Sequence, residues 1–127
     1  MTHTRELIGE QILVLEDEPL ISLDLVSNLK DAGAHIIAAR TAFDAIRRVR
    51  DRHVSLAVLD VHLGVNEDCS DVCEELTRQG IPFMFYTGHR NVQVLEDWPH
   101  APILGKPAKP DDITRMLGRL CDQRNAA

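Results

Sequence analysis

Short apolar segments alternate with longer amphipathic segments along most of this chain. The apolar segments predict β-strands at 12–15, 35–38, 56–59, 83–86 and 103–105. Most of them carry apolar residues at successive positions, which is typical of strands buried on both faces of a parallel sheet. Apolar residues in the intervening segments recur at helical spacing. The alternation of strand and helix predicts an α/β fold with a parallel sheet.

Local signals predict where the helices begin and end. Proline and small polar residues mark the predicted starts: Pro19, Thr41, Asp68 or Ser70, and Pro110–Asp111. Gly33 and Gly80 mark the ends of the first and third helices. Between Asn91 and Ala101 the apolar pattern is weak, and Pro99 and Pro102 limit a helix there to about two turns. We expect this fourth helix to be short and mobile.

Length and composition bound the class of protein. The 127 residues make one domain of ordinary size, with 44% hydrophobic and 27% charged residues. The formal net charge of −6 argues against nucleic acid as a partner, because phosphate contacts need a basic surface. The basic run at 47–52 is interpreted as a solvated helix face. The chain shows no signal peptide and no apolar run of membrane-spanning length, so we expect a cytoplasmic protein with no membrane partner.

The three cysteines are Cys69, Cys73 and Cys121. An odd number in a chain without an export signal argues against a disulfide framework. The spacing of Cys69 and Cys73, even with His62 nearby, fits no common structural zinc motif. We interpret the cysteines as small buried residues.

Polar residues follow four of the predicted strands. They are Glu16 and Asp17 after the first strand, Asp60 after the third, Thr87 after the fourth and Lys106 after the fifth. Ligands of open α/β sheets bind beyond the carboxyl ends of the strands, so we expect these side chains to converge. Mg²⁺ prefers oxygen ligands, which Asp17 and Asp60 would supply with support from Glu16.

Asp60 is the candidate nucleophile of this group. A carboxylate that attacks a phosphoryl group forms an acyl phosphate, an established kind of covalent intermediate. Lys106 and the Thr87 hydroxyl would then contact the phosphoryl oxygens, on which the transition state spreads negative charge. Taken singly, each residue has an ordinary structural explanation, such as a solvated acidic turn or an exposed lysine. Their joint placement at strand ends favours a magnesium and phosphoryl site.

These motifs resemble the receiver domain of two-component response regulators over nearly the whole chain. The resemblance rests on Leu15-Glu16-Asp17-Glu18, Leu59-Asp60, Thr87-Gly88 and Lys106-Pro107. It implies a three-layer, doubly wound (βα)5 sandwich of the flavodoxin-like kind, with a parallel sheet of order 2-1-3-4-5. It also implies a single receiver domain over residues 1–127, with a core at about 10–122 and no output domain.

The resemblance assigns roles to individual residues. Asp60 would be phosphorylated by a sensor histidine kinase or a histidine phosphotransfer protein, Lys106 would bind the phosphoryl group, and Thr87 would pass the signal to the face formed by the fourth helix, fifth strand and last helix. The Mg²⁺ ligands would be Glu16, Asp17, Asp60 and the backbone carbonyl of His62.

The chain departs from the common receiver pattern at several positions. Ile103 stands where receivers usually carry an aromatic residue that rotates with the threonine. The segment 82–89 resembles the Phe-Ala-Thr-Gly signature of a stand-alone receiver subfamily, with Tyr86 in place of the alanine. His62 and His89 lie two residues after Asp60 and Thr87, and we hypothesise that they modulate access of the hydrolytic water.

The leading hypothesis is a phosphoacceptor, not an enzyme in the usual sense, that acts as a phosphate shuttle or sink or through contact with a downstream protein. We expect a monomer or a weak homodimer. An alternative is a phosphorylation-independent binding module, which Ile103 supports. A phosphohydrolase ranks last: His62 stands where such enzymes commonly carry a second aspartate, and although a histidine could act as the acid, substrate-binding insertions are missing.

Overall fold

Strands and helices alternate along the chain in the computed structural model, whose description covers residues 6–64, 67–88 and 92–126. The strands are β1 (Gln11–Leu15), β2 (His35–Ala39), β3 (Leu56–Leu59), β4 (Phe83–Thr87) and β5 (Ile103–Gly105). The helices are α1 (Pro19–Asp31), α2 (Ala42–Asp51), α3 (Ser70–Arg78), α4 (Val92–Asp97) and α5 (Pro110–Ala126).

The strands form one parallel sheet of order β2-β1-β3-β4-β5, as predicted. Side chains alternate between its two faces, so each face has its own apolar cluster. One cluster contains Leu13 and Leu15 of β1 and packs against α2 and α3; we call it the first cluster. The second cluster contains Ile12 and Val14 and packs against α1 and α5. The resulting three layers confirm the predicted doubly wound architecture.

The predicted start and end of α1 and the predicted start of α2 are confirmed. Pro19 is the first residue of α1, and Gly33 follows the helix with a φ of 100°. A Cβ atom at Gly33 would lie 2.6 Å from the Ile8 side chain, so both the conformation and the space favour glycine. Thr41 caps α2, because its hydroxyl accepts a hydrogen bond from the backbone N–H of Asp44 at 3.1 Å.

The predicted cap of α3 is wrong by one position. Cys69, rather than Asp68 or Ser70, is the residue that precedes the helix, and its side chain makes no capping bond. The Asp68 carboxylate accepts the backbone N–H of Ser70, the first helical residue, at 2.8 Å. An aspartate one position earlier therefore satisfies a free N–H of the first turn.

The prediction that the strands are buried on both faces is wrong for β5. Ile103 is 51% exposed and Leu104 is half-buried against the second cluster. The strand lies at the edge of the sheet, where its side chains have a neighbouring strand on one side only. The short fourth helix itself was predicted, and its mobility stays a prediction.

A buried carboxylate connects α2 and α3. Glu75 is 4% exposed and accepts hydrogen bonds from Arg50 at 3.1 Å and from Gln79 at 2.7 Å, and it also pairs with Arg78. These partners, Gln79 first, lower the pKa of Glu75 despite its burial. Arg50 is largely exposed, as the solvated-face interpretation predicts, but it has a structural role that the sequence did not reveal.

All three cysteines are buried free thiols. The Cys69 and Cys73 sulfur atoms lie 3.9 Å apart, and the neighbouring thiol together with burial raises the pKa of Cys73. Neither belongs to the candidate site described below. Within the described ranges, no helix combines the length and the apolar composition that crossing a membrane requires.

Candidate functional site

Three carboxylates lie together at the carboxyl ends of β1 and β3. The register pairs Leu15 with Leu59, so the two strands end at the same level, and the N–H of Asp60 donates to the carbonyl of Leu15 at 2.9 Å. One oxygen from each of Glu16, Asp17 and Asp60 lies within 4.8 Å of the others. The predicted convergence of these side chains is thus present in the fold.

Lys106 reaches this cluster from the other side of β3. Its backbone N–H donates to the carbonyl of Thr87 at 3.1 Å, directly after the last residue pair of β4 and β5. Its ammonium group lies 3.1 Å from an Asp60 carboxylate oxygen and also contacts the Glu16 carboxylate. Lys106 is half-buried and Glu16 is 1% exposed, so these charges interact where water screens them weakly.

Burial and the neighbouring charges shift the ionisation of this pair. The pKa of Glu16 is raised to about 7: burial is the main cause, the hydrogen bond from Lys106 opposes the shift, and the Asp60 charge adds to it. Burial alone would lower the pKa of Lys106, but the carboxylates of Glu16 and Asp60 outweigh it and the net shift is upward. Lys106 therefore keeps its positive charge at the centre of the site.

Thr87 and His62 lie next to Asp60 and Lys106. Thr87 is the buried last residue of β4, and its carbonyl is bonded to the backbone of Lys106. The backbone N–H of His62 points to an Asp60 carboxylate oxygen at 3.4 Å, while its side chain is exposed. The roles assigned to the Thr87 hydroxyl and to the His62 carbonyl and side chain stay predictions. His89 lies outside the described residues.

The loop that follows Asp60 is tied to the start of α2. Leu63 donates its N–H to the carbonyl of Glu67 at 3.0 Å, and Cys69 donates to the carbonyl of Val61 at 3.2 Å. The Glu67 carboxylate accepts the backbone N–H of Ala42 at 3.0 Å, in the first turn of α2. Nothing in the local sequence indicates this contact, because its partners are 25 residues apart.

The donor set fits a hard divalent cation. Glu16, Asp17 and Asp60 supply carboxylate oxygens, the ligand type that Mg²⁺ prefers. The Lys106 ammonium is paired with Glu16 and Asp60, so three carboxylates of this cluster share one paired cation. A bound divalent cation would relieve the remaining repulsion.

This geometry agrees with the comparison of the chain with protein families. The sequence model of the response regulator receiver domain matches residues 12–118. The chain therefore belongs to the receiver domain family of two-component response regulators.

Individual relatives share most of this chain. The phyllosphere-induced regulator PhyR of Methylorubrum extorquens is 26% identical in an alignment of 122 residues that covers 91% of this chain and 46% of PhyR. The solution structure of SdrG from Sphingomonas melonis is 34% identical, with a TM-score of 0.78 over 95% of this chain and 99% of SdrG. A CheY-like receiver domain from Methanospirillum hungatei, at 19% identity, shows the same fold, with a TM-score of 0.84 over 92% of this chain and 97% of that chain. The chain spans less than half the length of the curated relatives it matches.

Proposed function

We propose that this protein accepts a phosphoryl group on Asp60 from the phosphohistidine of a sensor kinase or a histidine phosphotransfer protein. The observation that carries the proposal is the position of the Asp60 carboxylate. It is buried, lies 3.1 Å from the Lys106 ammonium, and belongs to a carboxylate cluster suited to a divalent cation. A nucleophile, a cation for the transferred group and a metal site are the parts that phosphoryl transfer to a carboxylate needs.

The transfer forms one bond and breaks one. A carboxylate oxygen of Asp60 attacks the phosphorus atom, and the P–N bond to histidine breaks as the P–O bond forms. The imidazole nitrogen keeps the bonding electron pair and leaves as neutral imidazole, because the other ring nitrogen carries the proton. Lys106 exchanges its contact with Asp60 for a phosphoryl oxygen, and the Thr87 hydroxyl donates to another.

A divalent cation fits this site as a cofactor. Glu16, Asp17, Asp60 and the backbone carbonyl of His62 would hold Mg²⁺. When bound, Mg²⁺ neutralises charge that the donor phosphate and the carboxylates bring together. Without the metal, Asp60 would be a poor phosphoacceptor, because the anionic phosphate would be repelled by the negative charge of the carboxylate cluster.

The output of the phosphorylated protein is proposed to be a protein contact or a further transfer of the phosphoryl group. The names of the matched relatives describe regulators, which supports a role in signal transduction. Assignment to the Phe-Ala-Thr-Gly subfamily and the oligomeric state stay predictions.

The proposal is tested with phosphoramidate, a small P–N phosphoryl donor, by intact mass. We expect the wild type to gain one phosphoryl group in the presence of Mg²⁺ and none when the metal is removed. Asp60→Asn should gain none, because the acceptor oxygen is replaced by an amide. Asp71→Asn, an exposed residue at the start of α3, serves as the matched control and should react like the wild type.

The contrary outcome would favour the phosphorylation-independent binding module. If the wild type gains no mass and does not bind beryllofluoride with Mg²⁺, Asp60 is not a phosphoacceptor. The exposed Ile103 on β5 is the observation that supports this alternative, because the aromatic residue usual at that position is absent.

A further inference from the structure

Tyr86 makes two contacts with the segment that carries Lys106. The residue lies on β4 directly before Thr87, is 7% exposed and belongs to the second cluster. Its hydroxyl oxygen accepts a hydrogen bond from the backbone N–H of Ala108 at 3.2 Å. The centre of its ring lies 5.6 Å from the Lys106 ammonium nitrogen. Neither contact is needed to fill the core.

The hydroxyl contact fixes the chain just after Lys106. Ala108 is two residues beyond Lys106, in the connection between β5 and α5. A tyrosine hydroxyl buried in an apolar cluster is retained at low cost only when it has a hydrogen-bond partner. The bond to Ala108 satisfies the hydroxyl and at the same time anchors the backbone of the segment that carries the lysine.

The ring contact acts on the lysine side chain itself. An ammonium group within about 6 Å of an aromatic ring centre is attracted by the electron-rich face of the ring. A lysine side chain is flexible and gives little directional preference of its own. Lys106 and Glu16 are 90 residues apart and Lys106 and Asp60 are 46 apart, so local structure does not bring them together. The Tyr86 ring, fixed in the second cluster, lies beside the ammonium group that contacts the two carboxylates.

We propose that Tyr86 is a positioning residue that holds Lys106 beside Asp60 for phosphoryl transfer. The inference rests on the proposed function, because it gives Lys106 its role at the phosphoryl group. A tyrosine that only filled the second cluster could be replaced by phenylalanine without effect on Lys106. The hydroxyl bond and the ring contact therefore predict separate, measurable losses.

Two substitutions separate the two contacts. Tyr86→Phe keeps the ring and removes the hydroxyl, while Tyr86→Leu removes both. Met84→Leu is the matched control. Met84 is fully buried on the same strand and in the same cluster, but it lies two residues farther from the end of β4 than Tyr86 does. The measurements are hydrogen exchange at the Ala108 amide, ¹³C relaxation of the Lys106 side chain, and the rate of phosphorylation by phosphoramidate at saturating Mg²⁺.

The expected changes follow from the size of the contacts. Loss of the hydroxyl should accelerate exchange at Ala108 about three- to tenfold in Tyr86→Phe, the effect of one hydrogen bond. Phosphorylation should slow about threefold in Tyr86→Phe and about tenfold in Tyr86→Leu, as the lysine loses first one and then both constraints. The Lys106 side chain should become more mobile in the same order. Met84→Leu should leave the Ala108 exchange, the Lys106 relaxation and the rate within about twofold of the wild type.

The inference would be overturned if Lys106 relaxation were unchanged in Tyr86→Phe and Tyr86→Leu, or if Met84→Leu slowed phosphorylation equally. Should Tyr86→Leu fail to fold, Tyr86→Phe decides alone, and unchanged Lys106 relaxation in it contradicts the inference. A wild type that takes no phosphoryl group would contradict the proposed function instead. The relaxation of Lys106 needs no phosphorylation, so it still supports or overturns the role of Tyr86 in that case.

Discussion

Glu16, Asp17 and Asp60 bring their carboxylate oxygens within 4.8 Å of one another beside the Lys106 ammonium. Burial, and after it the charge of Asp60, raises the pKa of Glu16, since a buried carboxylate loses hydration and carboxylates at such distances repel one another. The clustered carboxylates thus oppose the stability of the folded chain. A cation that binds only the folded protein should recover this free energy by mass action.

Magnesium should therefore raise the melting temperature of the wild type. At a Mg²⁺ concentration of about a hundred times Kd, linkage predicts about 2.7 kcal/mol of added stability. Asp17→Asn should lose most of this stabilisation, because it replaces a proposed ligand. The fluorescence of Trp98, the single tryptophan of the chain, reports the unfolding.

Asp24→Asn is the control for that measurement. Asp24 is an exposed aspartate on α1, outside the carboxylate cluster, and its replacement should leave the effect of Mg²⁺ intact. Equal Mg²⁺ stabilisation of Asp17→Asn and the wild type would exclude Asp17 as a ligand.

At the scale of elements, the start of α2 receives two caps from different parts of the chain. The Thr41 hydroxyl accepts the N–H of Asp44, and the Glu67 carboxylate accepts the N–H of Ala42. The second contact joins α2 to the loop that follows the proposed phosphorylation site. Hydrogen bonds from the free N–H groups at the start of α2 thus stabilise the helix and also hold the loop that follows Asp60 against it.

Removal of the Thr41 hydroxyl should weaken the fold without affecting the chemistry. Thr41→Ala is expected to lower the free energy of unfolding by about 1 kcal/mol, the usual value of a helix N-cap. Thr41→Ser keeps the hydroxyl and should change it much less. Urea unfolding followed by Trp98 fluorescence gives both values. Equal stability of the alanine and serine variants would contradict a capping role for the hydroxyl.

An ion pair at the other end of the sheet joins Glu10, the residue before β1, to α5. The Arg124 guanidinium donates to both carboxylate oxygens of Glu10, at 2.8 and 3.1 Å, and this contact holds the pKa of Glu10 below its usual value of 4.5. A lowered acid pKa stabilises the folded state above pH 4.5, and the contribution is lost as the pH falls through the folded-state pKa.

Arg124→Gln should accordingly cost about 1 kcal/mol near neutral pH, the upper range for a partly exposed pair. The difference from the wild type should shrink below pH 4.5, as Glu10 becomes protonated in both folded proteins. Denaturant unfolding at several pH values measures it. Arg119→Gln, an exposed arginine on the same helix, is the control. A difference between Arg124→Gln and the wild type that does not depend on pH would exclude the ion pair as its cause.

At the scale of the whole molecule, the sequence was sufficient for the order of elements and for the location of the site. Apolar periodicity is a local property, and the polar residues that follow Leu15 and Leu59 are brought together by the ends of parallel strands. The contact of Glu16 with Lys106 and that of Tyr86 with Ala108 were not predicted, because packing decides which distant side chains meet. Burial of β5 was predicted wrongly, since the apolar composition of an edge strand does not show how far its side chains are covered.

The two ends of the sheet differ in how completely their charged side chains are paired. Glu10 and Arg124 hold the amino-terminal end together with paired charges. At the carboxyl-terminal end, the carboxylates outnumber the ammonium group that is paired with them, which lowers the stability of the folded protein. In the proposed function, this is the site that binds a metal and a phosphoryl group. We propose that Asp60 carries that group.

Borohydride reduction followed by peptide mass mapping tests this claim most directly. Borohydride reduces an acyl phosphate of aspartate to homoserine and leaves free aspartate unchanged. After reaction with phosphoramidate and Mg²⁺, we predict homoserine at position 60 in the wild type and none in the Asp60→Asn variant. Homoserine at another aspartate, or a phosphoryl adduct that borohydride does not convert, would contradict the account.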